Sequence, residues 1–370
     1  MNLSLDSISK DLILTGVSIA VGANMLNLSK PLKIVYILSM LFLPYYHVYS
    51  TIFLNYGMAI LSWVLVVKCA KSFNFDLKDP YSNMLFTLRD LRLKGYDPRK
   101  LKEEENKIRY LSSFSEVFLL VFRYTSFFIV LLGIQHKFAN ELSTSSIDQL
   151  TGTSYYGMKF LFALYYGILI STSIQNLMLT SCLLYVILSK CCFLLSKWIN
   201  HTNTKLFLQQ AAYEVGDQRP YLLFDKPVYV KSVASFWSDS WHTMLRDIFI
   251  LVPKSYYKSA SRSLKSVLAL SAFISSGVFH DYLIFACSNE WCTSSLTYFS
   301  VHGIAVLIEY MVFSIVGKHS TVGKAFGMLF GYLVLIYSSH YFVDPVLNLK
   351  IFDELYTIYI ELPMNAMSNS

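Results

Sequence analysis

The sequence predicts an all-α polytopic membrane protein with about eight transmembrane helices and a re-entrant or interfacial helix. Three observations carry that expectation. Apolar residues make up 54% of the 370 positions and charged residues only 15%, against about 25% charged in an ordinary soluble domain, so too little polar surface exists to face water. Aromatic residues reach 16%, with 27 Phe and 27 Tyr. The apolar residues gather into runs of about 20, the length that crosses roughly 30 Å of hydrocarbon as a helix. The same figures exclude a disordered chain, a collagen or coiled-coil rod and a small disulfide scaffold.

In chain order, the first apolar run, near residues 11–28, carries Asn24 and Asn27 and is the weakest span. It has no cationic leader and no small-residue cleavage pattern, so it reads as a retained span. The clear spans are 32–49, 51–68, 114–135, 266–287, 295–316 and 324–343. Between Met158 and Lys197 the apolar run is too long for one ordinary span, yet it has no polar loop in which two spans could turn. Charge settles its parity. The segments 69–113 and 198–265 are both rich in Lys and Arg, and the positive-inside rule places both in the cytoplasm. The 158–197 run therefore crosses an odd number of times, as one long or broken helix. The 288–294 turn lacks Lys and Arg, the turn near 317–324 holds Lys318 and Lys324, and the 344–370 tail is net acidic. Eight crossings follow, with both termini on the lumenal or external side.

No internal repeat is visible. Residues 1–370 read as a single transmembrane domain, with cytoplasmic loops at 69–113 and 198–265 and C-terminal spans over 266–343. These loops account for the excess of 31 Lys+Arg over 24 Asp+Glu, so the net charge of +7 points to membrane orientation and lipid contact rather than nucleic acid. In the first loop, residues 83–93 place apolar side chains at helical spacing with basic ones between, as an interfacial helix does. In the second, Met244 to Pro253 is an apolar run too short to span, and it suggests a re-entrant or interfacial helix. The six cysteines lack the paired spacing of a zinc site. Only Cys287 and Cys292 stand close enough to pair, and the reading is against it.

Ionisable groups are costly inside a bilayer, so each is a candidate site: Arg123, His280, Asp281, His302, Glu309 and His340. His280 follows Ser276 and Gly277, small residues that allow close approach of another group. A neutral imidazole there is a competent general base, although a satisfied structural histidine is the plainer reading of the residue alone. His302 and Glu309, seven apart on nearly one helix face, read as structural hydrogen-bonding groups. A second constellation, Phe236-Trp237-Ser238-Asp239-Ser240-Trp241-His242, places two tryptophans four apart, on one face of an α-helix, just before the short apolar run that holds Arg246.

The order of these two constellations resembles the membrane-bound O-acyltransferase superfamily, in particular its wax synthase-like branch. That branch carries Phe-Trp-Gly-Arg-Arg-Trp followed by Asn or His, then Ser-Gly-x-x-His-Glu. Here Phe236-Trp237 and Trp241-His242 match the first motif, while Ser276-Gly277 and His280-Asp281 match the second with Asp for Glu. Phe224-Asp225-Lys226-Pro227 resembles the stretch leading into the first motif, and residues 91–96 weakly resemble a segment upstream of it. Ser238-Asp239-Ser240 replaces Gly-Arg-Arg and removes two cations. The resemblance implies a membrane-bound O-acyltransferase fold in the endoplasmic reticulum membrane. It also implies acyl-CoA as co-substrate, a hydrophobic alcohol as acceptor, no metal or resident cofactor, and room for a homodimer. It makes His280 the base and His242 a hydrogen-bond donor to the thioester. Phe236, Trp237, Trp241, Arg246 and Asp281 then line the substrates, and Lys231, Arg246, Lys254 and Lys258 face the CoA phosphates. The closest rival transfers acetyl to a sterol, terpenoid or other secondary metabolite. From other classes come a transporter using His280, His302, Glu309 and His340 as a relay and a non-catalytic scaffold, to which the lost cations lend weight.

Overall fold

The structure is a computed structural model that describes residues 29–46, 51–72, 114–141, 152–216, 229–241, 249 and 261–368. Every regular element among them is helical. In order these are α1 (Lys30–Tyr46), α2 (Ile52–Ser72), α3 (Phe114–Glu141), α4 (Gly152–Trp198), α5 (Thr202–Gly216), α6 (Val233–Ser235), α7 (Arg262–Ser288), α8 (Ser294–Val316), α9 (Thr321–Asn348), α10 (Ile351–Tyr356) and α11 (Leu362–Ser368). Among the described residues, five helices (α3, α4, α7, α8 and α9) are long and apolar enough to cross a membrane. The protein is therefore an integral, multi-pass membrane protein, and α1 and α2 coincide with the predicted spans at 32–49 and 51–68. The weak span at 11–28, the interfacial helix at 83–93 and, apart from Phe249, the short helix at 244–253 lie outside the described residues.

Helix α4 is 47 residues long without a break, about 70 Å at 1.5 Å per residue. It contains no proline, and it stays helical through its one polar stretch, residues 171–176. The long run between Met158 and Lys197, expected as one long or broken helix, is thus one unbroken helix. A polar stripe of it, Ser171, Thr172, Gln175 and Asn176, is buried with Leu169 and Leu179, while Leu177, Leu184 and Leu188 are exposed, as suits a helix whose solvent is lipid rather than water.

Contacts divide the chain into two compact units. The first comprises Met1–Ser50, Ile60–Ser126 and Ile174–Leu222. Its described core holds a Tyr36–Met40–Leu65 cluster and a Val117–Cys182–Val186 cluster. The Thr125 hydroxyl donates to Asn176 Oδ1 at 2.8 Å, and the Ser189 hydroxyl to the Ala212 carbonyl at 2.6 Å. The second unit comprises Thr51–Ala59, Phe127–Ser173 and Leu223–Ser370 and carries the described candidate site residues other than Arg123, which belongs to the first.

In the second unit, α7 packs on α8, α8 on α9, and α6 on both α8 and α9. Each long helix has a local start or stop. The Ser261 hydroxyl accepts from Leu264 N–H to cap α7, and the Ser320 hydroxyl accepts from Gly323 N–H to cap α9. Asn289 ends α7 in the left-handed region at φ 57°, a conformation asparagine tolerates better than most residues. Gly277 sets the spacing of α7 and α8, because a Cβ there would lie 2.6 Å from the Leu296 Cα. Gly277→Val is expected to lower stability by ~1–3 kcal/mol or more, the usual effect of overpacking. Thermal unfolding in detergent is the measurement, and an unchanged midpoint would show that the helices part freely. Cys287 and Cys292 are both free thiols.

The 344–370 segment is not only an acidic tail. Helix α9 continues through Pro345 to Asn348, and after Lys350, at φ 54°, the chain forms α10, a π turn (Thr357–Glu361) and α11. Ile351, Phe352 and Leu355 are buried. Phe352 packs on Tyr166, Tyr356 stacks on His136 with centroids 3.9 Å apart, and Tyr359 meets Phe128 edge-on. Apolar spacing, which net charge alone obscures, places these residues on an inner face.

Candidate functional site

The first motif is approached through irregular chain at Tyr229 and Val230, which runs over a glycine stripe on α9. A Cβ at Gly331 would meet Val230 Cγ1 at 2.7 Å, and one at Gly327 would meet the Lys231 carbonyl at 2.9 Å. Ser232 then caps the helical turn that follows, its hydroxyl accepting from Ser235 N–H at 3.1 Å. The two amides ahead of Ser235 are served from elsewhere in the sequence. Glu309 on α8 accepts Val233 N–H on Oε1 and Ala234 N–H on Oε2, both at 2.9 Å. All three leading N–H groups are satisfied, and the segment is fixed to α8.

From Phe236 to Ser240 the chain is a π turn, closed by Trp241 N–H donating to the Phe236 carbonyl at 2.8 Å. The tryptophans therefore do not share a face by the four-residue spacing of an α-helix, as the sequence suggested. Trp241 sits at the extended end of the turn, and its ring still meets Trp237 at 6.4 Å and stacks on Phe236 at 5.3 Å. The reason is the extra residue per turn, which the spacing of apolar residues does not reveal.

Trp237 is more than an interface anchor. Its indole N–H donates to His302 Nδ1 at 3.0 Å, and His302 Nε2 lies 2.8 Å from the Ser338 hydroxyl. An indole can only donate, so Nδ1 is the acceptor and the ring proton sits on Nε2, pointing at Ser338 Oγ. Ser338 Oγ–H in turn donates to the Val334 carbonyl at 2.7 Å. The result is a directed chain from α6 through α8 to α9 with every buried polar group matched.

Asp281 repeats the device used by Glu309. Thr293 provides no side-chain cap for α8, and Asp281 on α7 supplies it: Oδ1 accepts Ser295 N–H at 2.9 Å and Oδ2 accepts Leu296 N–H at 3.0 Å. A carboxylate at a helix N-terminus also complements the helix dipole. The Cys292 thiol adds a weak contact to Oδ1 at 3.6 Å. Burial, with the Asp281 charge acting in the same direction, pushes this thiol up, which keeps it a protonated donor. Asp281 thus fixes the register of α7 against α8, directly beside His280.

His280 is buried at 9% exposure in a cage of rings. Phe299 stacks on it at 5.0 Å and 12°, Phe342 meets it edge-on at 5.1 Å, and Phe279 flanks it at 5.3 Å. Phe299 also contacts Trp237 at 5.2 Å, so a single ring joins the two constellations. Two apolar cavities adjoin the cage. One of about 250 Å³ is lined by Trp237, Trp241, Phe249, Phe273, Ser276 and Phe299 among others. The other, of about 140 Å³, is bounded in part by Phe236, Trp241, Tyr298, Tyr332 and Phe342. Trp241 belongs to both.

Of the residues expected at the site, Phe236, Trp237, Trp241, His280 and Asp281 fall in this one region, while His242, Arg246, Lys254, Lys258 and Phe224 to Pro227 lie outside the described residues. Lys231 is exposed, with its Nζ 5.9 Å from the Tyr229 ring. Arg123 is exposed on α3, and His340 lies beside Tyr341. His302 and Glu309 make structural bonds, as their shared helix face suggested. Phe299, Tyr298 and Phe342 were missed, because nothing distinguishes them in sequence from other aromatic residues of the spans. Among the described residues no group of three His, Cys, Asp or Glu is placed to hold a metal ion.

Residues 220–301 match the model of the membrane bound O-acyl transferase family. Over that stretch, which includes Trp237, Trp241, His280 and Asp281, the chain is similar to the family, and the similarity supports a membrane-bound acyltransferase. No curated protein matches the chain.

Proposed function

We propose that this protein is an acyl-CoA-dependent O-acyltransferase that esterifies a hydrophobic alcohol, most specifically a wax ester synthase of the endoplasmic reticulum membrane. One observation carries the reading: the family match spans both motifs, and in the structure the buried His280 and Trp237 both contact one ring, Phe299. In this mechanism His280 takes the hydroxyl proton as the alcohol oxygen attacks the thioester carbonyl. The C–O bond forms, the C–S bond breaks, and the proton passes to the departing thiolate, giving ester and free CoA. His242 donates a hydrogen bond to the developing oxyanion, a contribution worth about 2.7–4 kcal/mol in comparable sites. Holding both apolar substrates in one buried chamber supplies a further part of the rate. Positive charge on the 198–265 loop, from Lys231, Arg246, Lys254 and Lys258, meets the CoA phosphates.

Support against the transporter reading comes from bonding. A proton relay needs groups that can exchange partners, whereas His302 uses both nitrogens and Glu309 both oxygens in holding the α6 segment and α8 in place.

Microsomes supplied with labelled acyl-CoA and a panel of alcohols test the proposal, and absence of any labelled ester would overturn it. Lengthening a primary alcohol is expected to raise kcat/KM by up to about fourfold per CH₂, from ~0.8 kcal/mol of transfer energy, until the chamber is filled. A second reading, transfer of acetyl to a polycyclic alcohol, is favoured by the cavity volumes of about 140 and 250 Å³, small against the roughly 300–1,000 Å³ of common ligand pockets. A flat chain-length response with strong turnover of acetyl-CoA would select it.

A further inference from the structure

His280 lines neither of the two cavities that adjoin it. A ring that touches the imidazole lines each space: Phe299 the 250 Å³ cavity and Phe342 the 140 Å³ cavity. Among the described residues, movement of one of these rings would open the cavity behind it to His280. The two are not equally placed to move. Phe299 is 1% exposed and is held by four rings, Trp237, Tyr298, His280 and Phe342, whereas Phe342 meets three, His280, Tyr298 and Phe299. Phe342 is only partly buried, and the void it borders is close in size to the cavity of about 150 Å³ that accepts benzene in an engineered protein. A phenyl ring therefore fits there, and its rotation carries the empty space from the far side of the ring to the face of the imidazole. The backbone favours this as well. Pro345 lies inside α9 three residues after Phe342. Having no N–H, it cannot bond the Tyr341 carbonyl four residues back, which loosens the turn that bears Phe342.

We propose that Phe342 is the movable ring that admits the acceptor alcohol to His280, and that its bulk determines which alcohols react. The identity of the substrate rests on the acyltransferase reading above; the movement of the ring does not. The two are separated by measuring exposure of the imidazole directly, as carbethoxylation of His280 by diethyl pyrocarbonate, read by peptide mass spectrometry on the purified full chain in detergent. Phe342→Ala is expected to speed His280 modification about tenfold, because reactivity scales with the fraction of molecules in which the histidine is uncovered. Phe342→Leu, the gentler change should the alanine variant not fold, is expected to give about threefold on the same basis. Phe299→Leu should stay within about twofold of the parent. Unchanged modification in both Phe342 variants, or a larger increase in Phe299→Leu than in either, would overturn the assignment. In the activity arm, Phe342→Ala should lower KM for branched alcohols more than it changes kcat. Faster modification of His280 in a protein that esterifies no alcohol would support the movable ring and reject the alcohol as its cargo.

Discussion

Replacing His280 with alanine is expected to lower ester formation by roughly 10²–10⁴, the range that a positioned general base contributes, while the protein stays folded. The expectation follows from how the residue is held. Its ring is packed by Phe279, Phe299 and Phe342, but the register of α7 depends on its neighbours, on Gly277 at the crossing and on Asp281 at the cap of α8. Those anchors survive the substitution. His280→Phe provides the complementary case, since it keeps an aromatic ring in the cage and removes the nitrogen. Both variants should show the same loss of kcat, with unfolding midpoints in detergent near that of the parent. Appreciable turnover in purified His280→Phe would remove the general-base assignment, because packing alone would then suffice.

Glu309→Ala is expected to have the largest effect on stability. It strips the buried amide of Val233 and the part-buried amide of Ala234 of their acceptors. Each unsatisfied buried group costs about 1–3 kcal/mol, so a loss of roughly 2–6 kcal/mol follows before any strain is added. The damage should spread to Trp237, whose indole bond to His302 requires the α6 segment to stay seated on α8. A lower unfolding midpoint together with a red-shifted tryptophan emission is the expected signature. Glu309→Gln keeps one carbonyl acceptor and should fall between alanine and the parent. A midpoint equal to the parent's in Glu309→Ala would show that the two amides have other acceptors and that the carboxylate does not fix the segment.

The long apolar runs could be read directly from the sequence because hydropathy is additive along the chain, and the 158–197 run, read as one long or broken helix, is one continuous helix, α4. The pairing of His302 with Glu309 on one face was also visible, since seven residues make nearly two turns. What they bond could not be read, because Trp237 and Val233 lie 65 and 76 residues away and only tertiary structure brings them close. The motif residue Asp281 illustrates the same limit. Its place beside the histidine suggested substrate contact, whereas its oxygens meet the first amides of the next helix. The π turn at Phe236–Ser240 escaped because no apolar period signals it. The helices after Lys350 escaped because the segment was judged by net charge, although Ile351, Phe352 and Leu355 repeat at helical spacing.

The two carboxylate caps also impose an order on biosynthesis. Asp281 leaves the ribosome before the amides it will accept, so the start of α8 finds its acceptor already made. Glu309 follows Val233 by 76 residues, which at about 5–20 residues per second is a delay of roughly 4–15 s. During that interval water or lipid headgroups have to satisfy the Val233 and Ala234 amides, and a nascent chain stopped anywhere before Glu309 carries the Trp237 segment without its clamp. The tryptophan motif is thus translated early and completed late, once α8 has entered the bilayer.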